Sequence, residues 1–221
     1  MAYGFTENVK GVRNVKVLNL YAGIGGNRKL WPKNLEVTSS EFDPQIAAVY
    51  ADLFPQDNLI IADARDYLLK HYKEYDVIWS SPPCQSHSSF RFNIGVRFRD
   101  VPAVYPDMTL YEQIIFLSNH APNYWIVENV KPYYDPLIQP TIQLQRHLFW
   151  ANFNICGVNF ATDNIRGAQI PQLQELHGFD LSKYQLANKR QVLRNCVNPL
   201  VGKHIIDEII RHANKMSVNE A

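Results

Sequence analysis

A thiol and a carboxylic acid occupy matching places in this chain. Cys84 lies in Pro82-Pro83-Cys84-Gln85, just after the apolar run Tyr75-Asp76-Val77-Ile78-Trp79, and Glu128 follows Trp125-Ile126-Val127 in Glu128-Asn129-Val130. If both runs are strands of one parallel sheet, their carboxyl ends open on the same edge, and a nucleophile and an acid face one pocket. A thiolate is a strong nucleophile, and a neighbouring carboxylic acid can serve as its acid–base partner. Cysteine is also a common small buried residue, which is the structural alternative for Cys84 and the reading kept for Cys156 and Cys196. His87 could form a thiol–imidazole pair with Cys84, although adjacency within a loop is weak ground for one.

A second group of residues has the types a nucleotide-like cofactor needs. Gly23-Ile24-Gly25-Gly26 follows the β-prone run Val15 to Leu20, where a glycine turn lets backbone amides approach a ligand at a helix start. An ordinary strand-to-helix turn would read the same way. Glu41, at the end of a second strand-like run, is placed to accept hydrogen bonds from ribose hydroxyls; a solvated strand-end carboxylate is the plainer alternative. Asp63, ending a third run, could meet a purine amino group or simply cap a helix.

These residues need a scaffold, and the hydrophobic pattern supplies one. Strands are expected over residues 15–20, 36–41, 59–62, 76–80 and 124–128, with helices over 44–54, 64–72 and 108–121 between them. That alternation predicts an α/β fold with a mostly parallel sheet. The aromatic run from Leu148 to Ile155 predicts an antiparallel hairpin at the sheet edge, and residues 199–215 an amphipathic helix. Residues 81–106 read as a long loop rich in Ser, Arg and Phe, residues 130–140 as an irregular connection, and the signal from Cys156 to Arg190 is weak.

Composition limits the possibilities. The 221 residues, 46% hydrophobic, suffice for one good core with a small appendage. No apolar run approaches membrane-span length and the amino terminus lacks a signal-peptide pattern, so a cytoplasmic protein is expected. Three separated cysteines without C-x-x-C spacing argue against a disulfide framework and against a zinc site. A formal charge of +1 leaves nucleic acid open as a partner, since basic groups can be concentrated locally.

The motifs, in this order, resemble those of the cytosine-C5 DNA methyltransferases, and the likeness spans most of the chain. Leu18-Asn19-Leu20-Tyr21-Ala22-Gly23-Ile24-Gly25-Gly26 is similar to the family's first motif, with Tyr21 for the usual Phe and Asn19 for the usual Asp. Glu41-Phe42-Asp43 is similar to its ribose motif, and Asp63 stands where the family's adenine-contacting Asp is found. Pro82-Pro83-Cys84-Gln85 with Ser88 is similar to the catalytic loop, Glu128-Asn129-Val130 to the Glu-Asn-Val motif, and Asn195-Cys196-Val197 to the last motif. The resemblance implies a Rossmann-like S-adenosylmethionine-dependent methyltransferase fold. S-adenosylmethionine would be bound by Tyr21, Gly23, Gly25, Gly26, Glu41, Phe42, Asp63, Pro83, Asn195 and Val197. It also implies a cytosine flipped out of double-stranded DNA, Cys84 added at C6 and Glu128 as the acid. Three segments would follow: a catalytic and cofactor-binding core over 1–155, a short target-recognition segment over 156–190, and a return to the core over 191–221.

In two places the chain departs from the family. Its Gln-x-Arg-x-Arg motif is here Gln145-Arg146-His147, which leaves Arg146 to contact the flipped nucleotide or the catalytic loop, or else to be a surface charge. The recognition region is short, which shifts attention to Phe90, Arg91, Phe92, Arg97, Phe98 and Arg99, a mixture able to stack on bases and pair with phosphates. Gln85, Ser88, Arg91, Arg97, Arg99 and Arg146 are the expected nucleic-acid contacts, with Lys189, Arg190 and Arg194 as a second basic cluster and a site of about two to four base pairs expected. A solitary, phage or restriction-modification enzyme, the last with a separate cognate endonuclease, fits the leading reading. The rivals are a tRNA cytosine-C5 methyltransferase, an amino-group methyltransferase (disfavoured because Cys84 holds the place of its motif's aromatic residue), and a catalytically silent DNA-binding protein of the same fold.

Overall fold

The computed structural model describes residues 15–163, 165 and 167–219; the expectation about the amino terminus lies outside these. Seven strands form one sheet: β1 (Lys16–Leu20), β2 (Glu36–Ser40), β3 (Asn58–Ile60), β4 (Val77–Ser80), β5 (Tyr124–Val130), β6 (Ile142–Leu144) and β7 (His147–Ala151). Their order is β3-β2-β1-β4-β5-β7-β6, parallel through β5 and antiparallel in the last two pairings. This is the Rossmann-like fold of S-adenosylmethionine-dependent methyltransferases, with the expected antiparallel edge. The connecting helices are α1 (Pro44–Leu53), α2 (Ala64–His71), α3 (Thr109–His120), α4 (Ile170–His177), α5 (Lys189–Asn195) and α6 (Pro199–Asn219).

Near-continuous burial along β1, β4 and β5 has the usual cause in a parallel sheet, namely cover on both faces. Side chains alternate accordingly. Val17, Val77, Trp79, Ile126 and Phe149 pack with Val201, Ile205 and Ile209 of α6, while Leu18, Ile78, Trp125, Val127 and Trp150 pack with Leu68 of α2 and Leu110, Ile114 and Leu117 of α3. The strand order reverses between β1 and β4, whose last residues Leu20 and Ser80 are paired. Tyr21 and Ser81 therefore leave the sheet side by side and diverge, which opens a crevice at the switch point.

Several expected boundaries move, each for a physical reason. β5 continues to Val130, so Glu128 lies within the strand and not at its mouth, because β7 pairs with Glu128, Asn129 and Val130 as well. The hairpin is formed by residues 142–151, earlier than expected, with Gln145-Arg146 as its two-residue turn and Gln145 at φ +52. The glycine turn does not open a helix: between β1 and β2 only turns occur, and Asn27 and Arg28 point inward. Asn27 Nδ2 donates to Asn19 Oδ1 at 2.8 Å, and Arg28 pairs with Asp57 through two bonds of 2.8 and 2.9 Å. The long loop holds a π-helical segment, Arg91–Val96, whose wide turn has no 3.6-residue signature. Residues 156–190, weak in pattern, contain α4, which ends in a left-handed Gly178 (φ +66). Among the described residues no helix is long and apolar enough to cross a membrane.

Candidate active site

The β1–β3 side of the crevice is built on backbone amides. Glu41 accepts from Gly23 N–H through Oε2 and from Asp43 N–H through Oε1, both at 2.9 Å, so the carboxylate itself shapes the glycine turn. Gly23 has φ +56, and a Cβ there would project into open space, as in a cradle shaped for a close-lying ligand. At Gly26 the reason for glycine is different: a Cβ would lie 2.7 Å from Cys196 Cβ and 2.8 Å from Val197 O, so this position brings the first motif against the last. Asp63 sits just beyond β3 and caps α2, its Oδ1 accepting from Arg65 and Asp66 amides at 2.9 and 3.0 Å. It remains exposed at the edge, so capping leaves Oδ2 for a ligand amino group. Phe42 is 74% exposed beside Glu41, an aromatic face with little protein against it. Tyr21, a bulky residue at φ +57, is fixed by Gln113 Nε2 donating to its hydroxyl, and burial pushes that hydroxyl up to about 12. These residues fit an adenosyl ligand: ribose acceptor, purine acceptor, aromatic face and glycine cradle lie along one edge.

The β4–β5 side is more enclosed, with Pro82, Glu128 and Asn129 buried. Asn129 Nδ2 donates to Pro82 O at 3.0 Å and thereby ties the Pro-Pro-Cys loop to the Glu-Asn-Val strand. Cys84 is half-buried; burial first, then the nearby charge of Glu128, push its thiol up to about 11, against a lowering by Arg146. Glu128 is 5% exposed, and burial raises its carboxyl from an ordinary 4.5 to about 7, opposed by a hydrogen bond from Ser81 and the charge of Arg146. The thiol thus feels the charge of Glu128, and both groups feel the same arginine.

Other expected site residues have different surroundings. Arg146 donates from Nη2 to the carbonyls of Arg194 and Cys196 at 2.8 and 2.9 Å, which clamps the last motif beside the catalytic loop. His87 is fully buried and both its nitrogens are engaged, Nδ1 with the Tyr134 hydroxyl and Nε2 with Asp107 O, so it anchors the loop and does not pair with Cys84. Ser88 bonds back to Cys84 O through its amide and forms a bridge with Pro132. Gln85 and Pro83 are exposed around Cys84. Arg91 Nη2 donates to Pro102 O, Arg97 lies over Phe92, and Phe92 stacks on Tyr133 at 4.3 Å; Arg99 is exposed. Arg194 lies over Phe90, so the two basic clusters meet. Asn195 is exposed and accepts from Gln191, whereas Val197 is buried in the core.

Sequence reasoning missed His147, whose Nε2 is 3.4 Å from Glu128 Oε1. It also missed the support of Ser81, which hydrogen-bonds Glu128 and accepts from Trp79 Nε1 at 3.0 Å. The period of two along β7 could have found His147, since it shares a sheet face with Phe149.

The sheet thus carries a thiol in the loop after β4 and a buried acid on the neighbouring β5. The sequence model of the family described as C-5 cytosine-specific DNA methylase matches residues 15–141, more than half of the chain. The chain belongs to that family, and its cofactor is S-adenosylmethionine. Among solved structures, Spodoptera frugiperda DNMT2 is 25% identical, with 56% of this chain covering 38% of that one at a TM-score of 0.38. A SAM-dependent methyltransferase from Agrobacterium tumefaciens is 14% identical, with coverages of 55% and 40% and a TM-score of 0.37. No curated protein sequence matches the chain.

Proposed function

We propose that this protein transfers a methyl group to C5 of a cytosine extruded from double-stranded DNA, through a covalent adduct with Cys84. The observation that carries the reading is the Asn129–Pro82 hydrogen bond, which ties the Cys84 loop to the Glu128 strand at the edge that also bears the cofactor cradle.

Cytosine C5 is a poor nucleophile until a group adds at C6. Cys84 Sγ, as thiolate, forms the S–C6 bond, and the displaced electron pair moves into the ring toward N3. Glu128, an acid with its carboxyl raised to about 7, gives its proton to N3 and accepts from the exocyclic amine with its other oxygen. When bound at Tyr21, Gly23, Glu41, Phe42 and Asp63, S-adenosylmethionine supplies an electrophilic methyl for the activated C5. Loss of the C5 proton to a base then lets the S–C6 bond break, its electron pair returns to Cys84 as thiolate, and the N3 proton returns to Glu128. Dry surroundings serve the acid and hinder the thiol, since the same burial that keeps Glu128 protonated opposes thiolate formation. Arg146, whose charge lowers both groups, is the cation that favours the thiolate.

The exposed Arg97 and Arg99, with Phe90 and Phe98, support a nucleic-acid face beside the catalytic loop. Purified protein with labelled S-adenosylmethionine should place 5-methylcytosine in duplex DNA, read by nuclease digestion and mass analysis. Label appearing only in tRNA would reassign the substrate, and N4-methylcytosine would overturn the mechanism.

A further inference from the structure

His147 occupies a position for which the reaction above has so far no use. It is 1% exposed, and β7 pairs it with Val130, two residues beyond Glu128 on the same face of β5. The tight turn at Gln145-Arg146 fixes that register, and a one-residue slip would turn His147 to the other face. The ring packs edge-on toward Phe149 at 6.4 Å, and its Nε2 lies 3.4 Å from Glu128 Oε1. Its Nδ1 is buried with no hydrogen-bond partner among the described residues. Glu128 on β5, Arg146 on the hairpin turn and His177 on α4 are the titratable or charged groups that act on it. Burial first, then the charges of Arg146 and His177, hold His147 well below the ordinary histidine range, so the ring is neutral and its contact with Glu128 is not an ion pair. A neutral ring carries one N–H. Placing it on Nε2 leaves a bare acceptor at Nδ1, which costs less in a dry site than an orphaned donor.

Resting on the cytosine-C5 reading, we propose that His147 is a positioning residue for Glu128: its Nε2–H is directed at Oε1, so that the acid proton resides on Oε2. Oε1 is then the carbonyl-like oxygen that accepts from the exocyclic amine, and Oε2 carries the proton that passes to N3. A carboxyl free to rotate would present the wrong oxygen part of the time. The imidazole in effect selects one of two otherwise equivalent acid forms.

The test compares the wild-type protein with His147→Phe, which keeps a ring and loses the N–H, and His147→Gln, which retains a donor. His147→Phe should lower kcat by about tenfold or more, as for loss of one preorganised donor, with KM for DNA and the Kd of S-adenosylmethionine little changed. The alkaline limb of its kcat–pH profile should move to higher pH, because an N–H donor favours the ionised carboxylate and its loss raises the carboxyl. His147→Gln should restore most of kcat and return the limb. In a Glu128→Gln background, His147→Phe should cost little further, whereas a merely structural role would cost the same in both backgrounds. A folded His147→Phe protein with unchanged kcat and unchanged limb would overturn the proposal. If that variant does not fold, the same comparison is made with His147→Met, which also lacks a donor. A wild-type protein that makes no 5-methylcytosine in any nucleic acid would instead defeat the reading on which this inference rests.

Discussion

On the β1–β3 side of the carboxyl edge, charged groups stay near water and are held by backbone amides; on the β4–β5 side they are buried and held by side chains. Glu41 and Asp63 each receive two amide N–H bonds and remain accessible, whereas Glu128 is enclosed by Ser81, His147 and the sheet. The difference suits the proposed reaction. A ligand with hydroxyl and amino groups is recognised by carboxylates held in fixed places, and the amide donors fix them. A ring that must accept a proton needs a carboxylic acid that still holds one near neutral pH, and desolvation provides it.

Substitutions can break this contrast, beginning with the largest effect. Cys84→Ala should abolish methyl transfer and leave S-adenosylmethionine binding unchanged by titration calorimetry, because the thiol belongs to the buried half only. A duplex carrying 5-fluorocytosine at the correct site should trap the wild-type protein as a denaturation-resistant adduct and fail to trap this variant. Residual 5-methylcytosine from Cys84→Ala would rule out the thiol adduct. Glu128→Gln should slow turnover by about a hundredfold, the scale of lost general-acid catalysis, again with cofactor affinity intact. Equal losses in rate and cofactor binding would mean that the two halves do not separate.

Glu41→Ala should weaken S-adenosylmethionine about tenfold, or about 1.4 kcal/mol, for one charge-assisted contact. Since Glu41 also accepts from Gly23 N–H, part of that loss is a loosened cradle, and Glu41→Gln, which keeps one carbonyl acceptor, should lose less. Unchanged affinity in both would remove Glu41 from the cofactor site.

The buried half should also register in stability. Glu128 holds its proton more tightly in the folded chain, at about 7, than unfolded at about 4.5. Folding therefore gains from the protonated form fully below pH 4.5, loses that gain as pH rises toward 7, and changes little from this source above. Glu128→Gln should thus gain in melting temperature relative to wild type between pH 5 and pH 8, by a share of about 1.4 kcal/mol per pH unit crossed. A constant difference across that range would show that the carboxyl is not desolvated as described. The smallest effect is expected outside both halves: charge-removing changes at Arg97 or Arg99 should each flatten the salt dependence of DNA binding by about one in the log–log slope if they touch phosphate. A slope that stays constant while the methylated motif broadens would place them on bases.

Much of the fold was legible because its signals are local. Apolar runs of strand length separated by helical spacing predicted the parallel sheet, and Asp63 was readable as the start of a helix that it does cap. The π-helical segment was not legible, since its turn matches no standard period, nor was α4, whose burial depends on contacts with α1 and the glycine turn. The absent helix after the glycines has a similar cause. Asn27 and Arg28 carry helix-compatible backbones in isolation, and only the buried acceptors Asn19 and Asp57 turn them inward.

For the site, the chain alone determined which chemical groups are available and in what order, because motif residues at strand ends are a property of local sequence. It named a thiol, two acids and a glycine turn. Tertiary structure decided their state. Burial beside Ser81, His147 and the β7 strand raises the carboxyl of Glu128, an antiparallel pairing puts His147 beside it, and the hairpin turn directs Arg146 to the carbonyls of the last motif. Desolvation and register are relations between segments distant in sequence, and a linear pattern carries neither.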